Sequence, residues 1–171
     1  AITGLNGAES GYYESLPQAY ACPNRPMRHI EELRAIRWIT PEIFDGDGAT
    51  PGLSACVTVY GRRPSETGDV FDGRININTA DIPVLRALMP TGLEDLAEAI
   101  VSYRDALEPA AAAMALSAPD WYRNAPGCAA LDLDPALITT HSDLFRLVST
   151  ATLMGRRLTL EAVAERYLED G

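Results

Sequence analysis

The residues most able to do chemistry are spaced carboxylates. Asp45-Gly46-Asp47-Gly48 sets two acids on glycine-rich backbone, and Asp132-x-Asp134 repeats the spacing. Carboxylate oxygens on flexible backbone suit a hard cation such as calcium. No bidentate Glu follows at the EF-hand distance, so a solvated turn is the competing reading for each pair, and Asp132 and Asp134 can equally cap the turn at Pro135. His29 and His141 are the two histidines. His29 has no second His nearby and reads as a helix-start residue. His141 adjoins Ser142, but neighbouring residues of a strand face opposite ways. The sequence holds no G-x-S-x-G, H-E-x-x-H, Walker loop or G-x-G-x-x-G, so no catalytic constellation emerges. The expectation is a protein that is not an enzyme.

The elements that must position these residues are organised around Arg74–Asp105. Ile75-Asn76-Ile77-Asn78 alternates like an extended segment. Thr79 is placed to cap a helix starting at Ala80, with Asp81 and Pro83 in the first turn. Val84, Leu85 and Leu88 give that helix an apolar face, and Pro90-Thr91-Gly92 stops it. Leu96, Ile100 and Tyr103 fall at helical spacing in a second helix, about Leu93 to Ala106. Two short helices joined by a tight turn result.

Composition limits what this hairpin can serve. The chain has 171 residues, 47% hydrophobic and 22% charged, enough for a sizeable core as one domain with a subdomain. The net charge is −10, and every basic residue is Arg, scattered along the chain. Phosphate repels such a surface, and no basic stripe is visible. No run is long and apolar enough for a membrane span, and no signal peptide is present. The chain begins at Ala1 without Met, as an excised fragment or a mature product does. Cys22, Cys56 and Cys128 are far apart in sequence. They fit one disulfide and a free thiol, or three buried thiols.

Around the hairpin, residues 1–28 are rich in Gly, Pro and Tyr. A helical turn is expected near Ala8–Leu16, with Tyr12, Tyr13 and Tyr20 covering a core. His29–Trp38 reads as a short amphipathic helix. Thr40-Pro41-Glu42 is a helix start with Thr40 as cap. Leu53–Tyr60 alternates and is β-branched, which predicts a strand, and Gly61–Gly73 predicts a loop. Ala110–Leu116 predicts an alanine-rich helix. Ser117–Leu137 is irregular, anchored by Trp121 and Tyr122. Asp143–Leu153, a turn at Met154-Gly155-Arg156, and Arg157–Leu168 predict an antiparallel hairpin with one buried face. Helix is the competitor over its second half.

Several of these stretches, in order, resemble the minor pseudopilin K family of type II secretion. Gly7-Ala8-Glu9-Ser10-Gly11-Tyr12-Tyr13 is similar to its GAED-x-YY segment, with Ser10 where Asp is usual. Pro23-Asn24-Arg25-Pro26 and then Ile30-Glu31-Glu32-Leu33-Arg34 are similar to its N-x-P…ELR stretch. Ile75–Ala80 resembles its IN-x-NTA signature, and Ser142–Arg146 its late S-x-x-F strand. The resemblance implies an α+β fold: a pilin-like antiparallel sheet with a large, mainly helical inserted domain, here SAM-like or helix-hairpin-helix-like. The family's N-terminal pilin helix is missing from this sequence. On that plan residues 1–141 form the insert and residues 142–171 the last sheet strands, one face of which lacks its usual cover. The implied protein is the periplasmic domain of an inner-membrane-anchored pseudopilin. It caps the pseudopilus tip in a heterotrimer with two other minor pseudopilins and binds calcium. Only Glu9 carries over to the calcium set by motif position; Asp45, Asp47, Asp132 and Asp134 are candidates from spacing. The alternative is a helix-hairpin-helix DNA-binding module for uptake or repair, which the Met89–Leu93 turn, with its single glycine, fits less well.

Overall fold

The computed structural model describes residues 8–65, 68–71 and 73–166. Contacts divide the chain into two units, Ala1–Val59 and Tyr60–Gly171.

In the first unit, helix α1 (Ser10–Glu14) is followed by extended, proline-marked chain and a 3-10 helix at Ile30–Ala35. Helix α2 spans Pro41–Asp45 and α3 spans Leu53–Cys56. The expected amphipathic helix over 29–38 is thus shorter and tighter. Glu32 supports its start, accepting from the N–H groups of Arg28 at 2.9 Å and His29 at 3.1 Å. Thr40 caps α2, its Oγ1 accepting from Ile43 N–H at 3.4 Å, with Pro41 at the first helical position. The strand expected over Leu53–Tyr60 is not formed. Gly52 lies so close to the chain at Phe44–Gly46 that an added Cβ would meet Phe44 O and Gly46 N at 2.3 Å. That approach turns the chain, and Ala55 N–H and Val57 N–H bond back to Gly52 O and Leu53 O as a helical turn. Local β-propensity yields to this tertiary constraint.

In the second unit, β1 (Arg62–Ser65) pairs antiparallel with β2 (Gly68–Phe71), so the predicted loop over Gly61–Gly73 contains a small hairpin. Strand β3 (Ile75–Asn76) pairs in parallel with β4 (Ile138–Thr139). Between them run α4 (Ile82–Arg86), α5 (Leu96–Asp105), α6 (Pro109–Ala115) and a 3-10 turn at Trp121–Asn124. The first of these helices starts later than Thr79 suggests: Asp81 is its N-cap residue, and Thr79 Oγ1 instead reaches Asn76 O at 3.5 Å. The core gathers Ile77, Leu85, Met89, Ala97, Ile100, Trp121, Tyr122, Cys128, Leu131, Leu133 and Ile138. Leu96, Val101 and Tyr103 pack on it, in keeping with the helical period of α5.

The chain ends in a long hairpin, β5 (Leu144–Leu153) and β6 (Arg156–Glu165), paired from Leu144↔Glu165 to Leu153↔Arg156. Both halves are strands, including the half for which helix competed. The two loop residues have positive φ, Met154 at 49° and Gly155 at 75°. That is the type I′ geometry whose twist matches a hairpin, and it favours Asn-Gly. Met154 is almost fully exposed and gains nothing from packing. Met154→Asn should therefore stabilise the hairpin by about 1 kcal/mol, read as a higher melting midpoint. The expected buried face is absent: every residue of the two strands is exposed except Leu144 and Val163, which are half-buried. The alternation marks an apolar face correctly, but no layer of the described chain lies over it.

Candidate functional site: the asparagine node and the scattered carboxylates

The residues 75–80 form a junction rather than a catalytic centre. Asn78 Nδ2 donates to Thr140 O at 2.8 Å and to Leu116 O at 3.0 Å. Its Oδ1 accepts from Trp121 Nε1 at 2.7 Å. One side chain thus joins three segments distant in sequence. Asn76 extends the junction: its Oδ1 accepts from Asn78 N–H at 3.0 Å, and its Nδ2 donates to Ser142 Oγ at 2.7 Å. Arg104, on α5, donates from Nη1 to Ala80 O at 2.9 Å and Ile77 O at 3.2 Å. Trp121 is buried and stacks on Tyr103, centroids 6.1 Å apart and planes at 18°. An amide suits this node because it both donates and accepts. The pattern of two asparagines flanking a buried isoleucine is therefore architectural. A shallow cavity of about 360 Å³ beside it is lined by Asn78, Ala112, Ala113, Leu116, Ser117 and Thr140. It holds no acid, base or nucleophile pair.

The turn between α4 and α5 bears on nucleic acid. Gly92 has φ +89°, and its N–H donates to Glu94 Oε2 at 2.8 Å. A carboxylate thus occupies the donor that a phosphate would need. That hydrogen bond also holds the Glu94 carboxyl below the usual range, keeping the turn negative. The nearest arginine in sequence before the turn, Arg86, is paired with Glu98.

The five carboxylates singled out by motif and spacing fall in both units, Glu9, Asp45 and Asp47 in the first and Asp132 and Asp134 in the second. Glu9 precedes α1, where its backbone carbonyl accepts from Tyr12 N–H at 2.9 Å. Asp45 is paired with Arg34. Asp47 Oδ1 accepts from Thr50 N–H at 2.7 Å and Ala49 N–H at 3.0 Å, closing the glycine-rich loop as an Asx turn. Asp132 is paired with Arg123, and Asp134 Oδ1 accepts from Ala136 N–H at 2.9 Å at the Pro135 turn. Among the described residues no group of three or more His, Cys, Asp or Glu side chains stands within reach of one metal ion. Cys22, Cys56 and Cys128 are free thiols, Cys128 buried and the other two half-buried.

Carboxyls held by backbone N–H groups make stability depend on pH. Thr50 N–H, then Ala49 N–H, hold Asp47 low; Arg28 N–H, helped by His29 N–H and Arg25, holds Glu32 low; Gly92 N–H holds Glu94 low. A carboxyl with a depressed folded pKa stabilises the native state above its unfolded value and loses that contribution as pH falls through the folded value. The melting midpoint should stay level between about pH 7 and pH 5 and drop below about pH 4. Asp47→Asn should flatten the drop in a thermal melt.

No helix among the described residues is long and apolar enough to cross a membrane. Comparison with known proteins gives two matches. A family model for type II secretion system (T2SS) protein K, covering the first part of that family, matches residues 1–46. A second model with the same description matches residues 75–138, which take in the asparagine node, α4, α5 and the Trp121 turn. No curated protein and no solved structure matches the chain. The two models agree with each other, cover more than half of the chain and fall in the order of the motifs, so this chain belongs to the type II secretion system protein K family, with a role in type II secretion.

Proposed function

We propose that this chain is a minor pseudopilin that caps the tip of the type II secretion pseudopilus and helps its assembly, acting by protein–protein contact and without catalysis. It would do so as the periplasmic part of an inner-membrane-anchored protein, in a complex with two other minor pseudopilins.

The observation that carries this reading is the terminal hairpin. Its register puts Phe145, Leu147, Ala151 and Leu153 on the same face as Leu158, Leu160, Ala162 and Ala164, with Ser149 and Arg156 as the polar members of that face. The other face is mixed: Arg146, Thr150, Thr152, Arg157, Thr159, Glu161 and Glu165 stand there with Leu144, Val148 and Val163. Leu158 and Leu160 are 64% and 65% exposed. An amphipathic sheet requires a second layer on its apolar side, and a two-stranded hairpin alone is marginal in water. A pilin-like arrangement, with an apolar helix against this face, meets that need. The other support is bulk: the helical core precedes the hairpin in the chain, and a subunit carrying such a mass beside its sheet obstructs stacking of the next one. The reading requires no calcium. The DNA-binding alternative fits less well, since Glu94 fills the turn where phosphate would bind.

Position on the filament tests the proposal. Gold-labelled antibody against this chain should mark one end of isolated pseudopili. Label spaced along the filament, as for a repeating subunit, would refute capping.

A further inference from the structure

The turn after the 3-10 helix Ile30–Ala35 has a task that folding does not explain. Trp38 has φ +75° and is 68% exposed. Positive φ crowds the Cβ of an L-residue, and a bulky side chain there is an outlier. Neither the backbone nor burial rewards tryptophan at this position. The turn is nevertheless firmly held. Ile39 N–H donates to Ile36 O at 3.1 Å. The Tyr20 hydroxyl donates to Ala35 O, and the buried Tyr13 accepts from Arg37 N–H at 3.2 Å.

Beside Trp38, the Arg37 guanidinium lies between two rings, 4.6 Å from the Tyr12 centroid and 4.7 Å from the Trp38 centroid. Among the described residues it forms no ion pair. The chain carries a net charge of −10; within residues 25–38 Arg25 is paired with Glu32 and Arg34 with Asp45, which leaves Arg28 and Arg37 against Glu31. Ile36 and Ile43, close by in sequence, are exposed as well. A pre-positioned arginine flanked by aromatic rings is the composition that dominates protein interfaces, because the rings shed water at little entropic cost while the fork grips a carboxylate with two hydrogen bonds.

We propose that the Tyr12–Arg37–Trp38 stack is a docking site for an acidic segment of another minor pseudopilin, the indole entering an apolar cleft and the guanidinium taking a carboxylate. This rests on the tip-complex reading above and adds the surface. Charge selects the occupant: the Arg37 guanidinium, held between two rings and without an ion pair among the described residues, complements a carboxylate of an acidic protein segment. An anionic bilayer also receives Trp and Arg, but the remaining surface repels it.

The test is isothermal calorimetry of this 171-residue chain with the purified periplasmic domains of the two other minor pseudopilins of its own secretion system. Trp38→Gly and Arg37→Gln should each weaken binding by about thirty-fold, with Arg37→Lys between them and the wild type. Wild-type affinity should fall with added salt. Trp38→Gly relieves the positive φ, so its melting midpoint should not drop below that of the wild type. Binding unchanged in the variants would overturn the docking site and leave the tip complex standing. No complex with the wild-type chain would overturn both. Phosphatidylglycerol vesicles that bind the wild type but not Trp38→Gly, with pseudopilin binding intact, would assign the patch to a membrane and overturn it as a protein site.

Discussion

Replacing Trp121 by Ala should destabilise the second unit by about 4 kcal/mol, the range for removing a large buried aromatic. The side chain is 1% exposed, sits among Ile77, Leu85, Ile100 and Cys128, and stacks on Tyr103. Its removal leaves a cavity that the flanking turns can close only in part, and leaves Asn78 Oδ1 without its donor. Chemical denaturation followed by near-ultraviolet circular dichroism measures the loss. Trp121→Phe separates the two contributions: it retains much of the packing and removes only the indole N–H. About 1–2 kcal/mol is expected for it.

The second large effect is expected at Asn78. Asn78→Ala should cost about 3 kcal/mol, because two carbonyls and a buried indole N–H lose their partner together. Asn78→Asp keeps the acceptor for Trp121 but cannot donate to Leu116 O and Thr140 O, so it should cost at least as much at neutral pH and recover partly in acid. Trp121→Ala and Asn78→Ala share one hydrogen bond, and the double variant should lose less than the sum of the singles. Additive losses would mean that the two side chains act independently, and that the node is not a unit. Both variants should leave the first unit folded, because its aromatic cluster of Tyr12, Tyr13 and Tyr20 lies within residues 1–59.

The helical hairpin and the terminal strands were legible in the sequence for a physical reason: periods of 3.6 and 2 are written by the need to bury one face. The Leu96, Ile100, Tyr103 spacing gives α5, and the alternation from Leu144 to Ala164 gives the faces of β5 and β6 as observed. Alternation cannot tell what covers a face, so the buried side expected of that hairpin is exposed. Leu53–Tyr60 misled because Gly52 is pressed against the Phe44–Gly46 backbone, a contact with no local signal. The hairpin of β1 and β2 is built on backbone pairing in a polar stretch. Local pattern shows Asn76 and Asn78 as polar residues of an extended segment. That they bond to Leu116, Thr140 and Ser142 depends on how the chain folds back. For the carboxylates, spacing left a cation site and a solvated or capping turn both open; arginines engage Asp45 and Asp132, and turn N–H groups engage Asp47 and Asp134. Trp38 gave no sequence signal, since its interest lies in a backbone angle and an exposed ring.

The central claim is that this protein K family member works by assembling with other pseudopilins. Light scattering during gel filtration tests it most directly, with the chain mixed with the periplasmic domains of the two other minor pseudopilins from the same system. The account predicts one co-eluting species whose mass equals one copy of each. Three separate peaks with the masses of the single proteins, at concentrations well above micromolar, would contradict it.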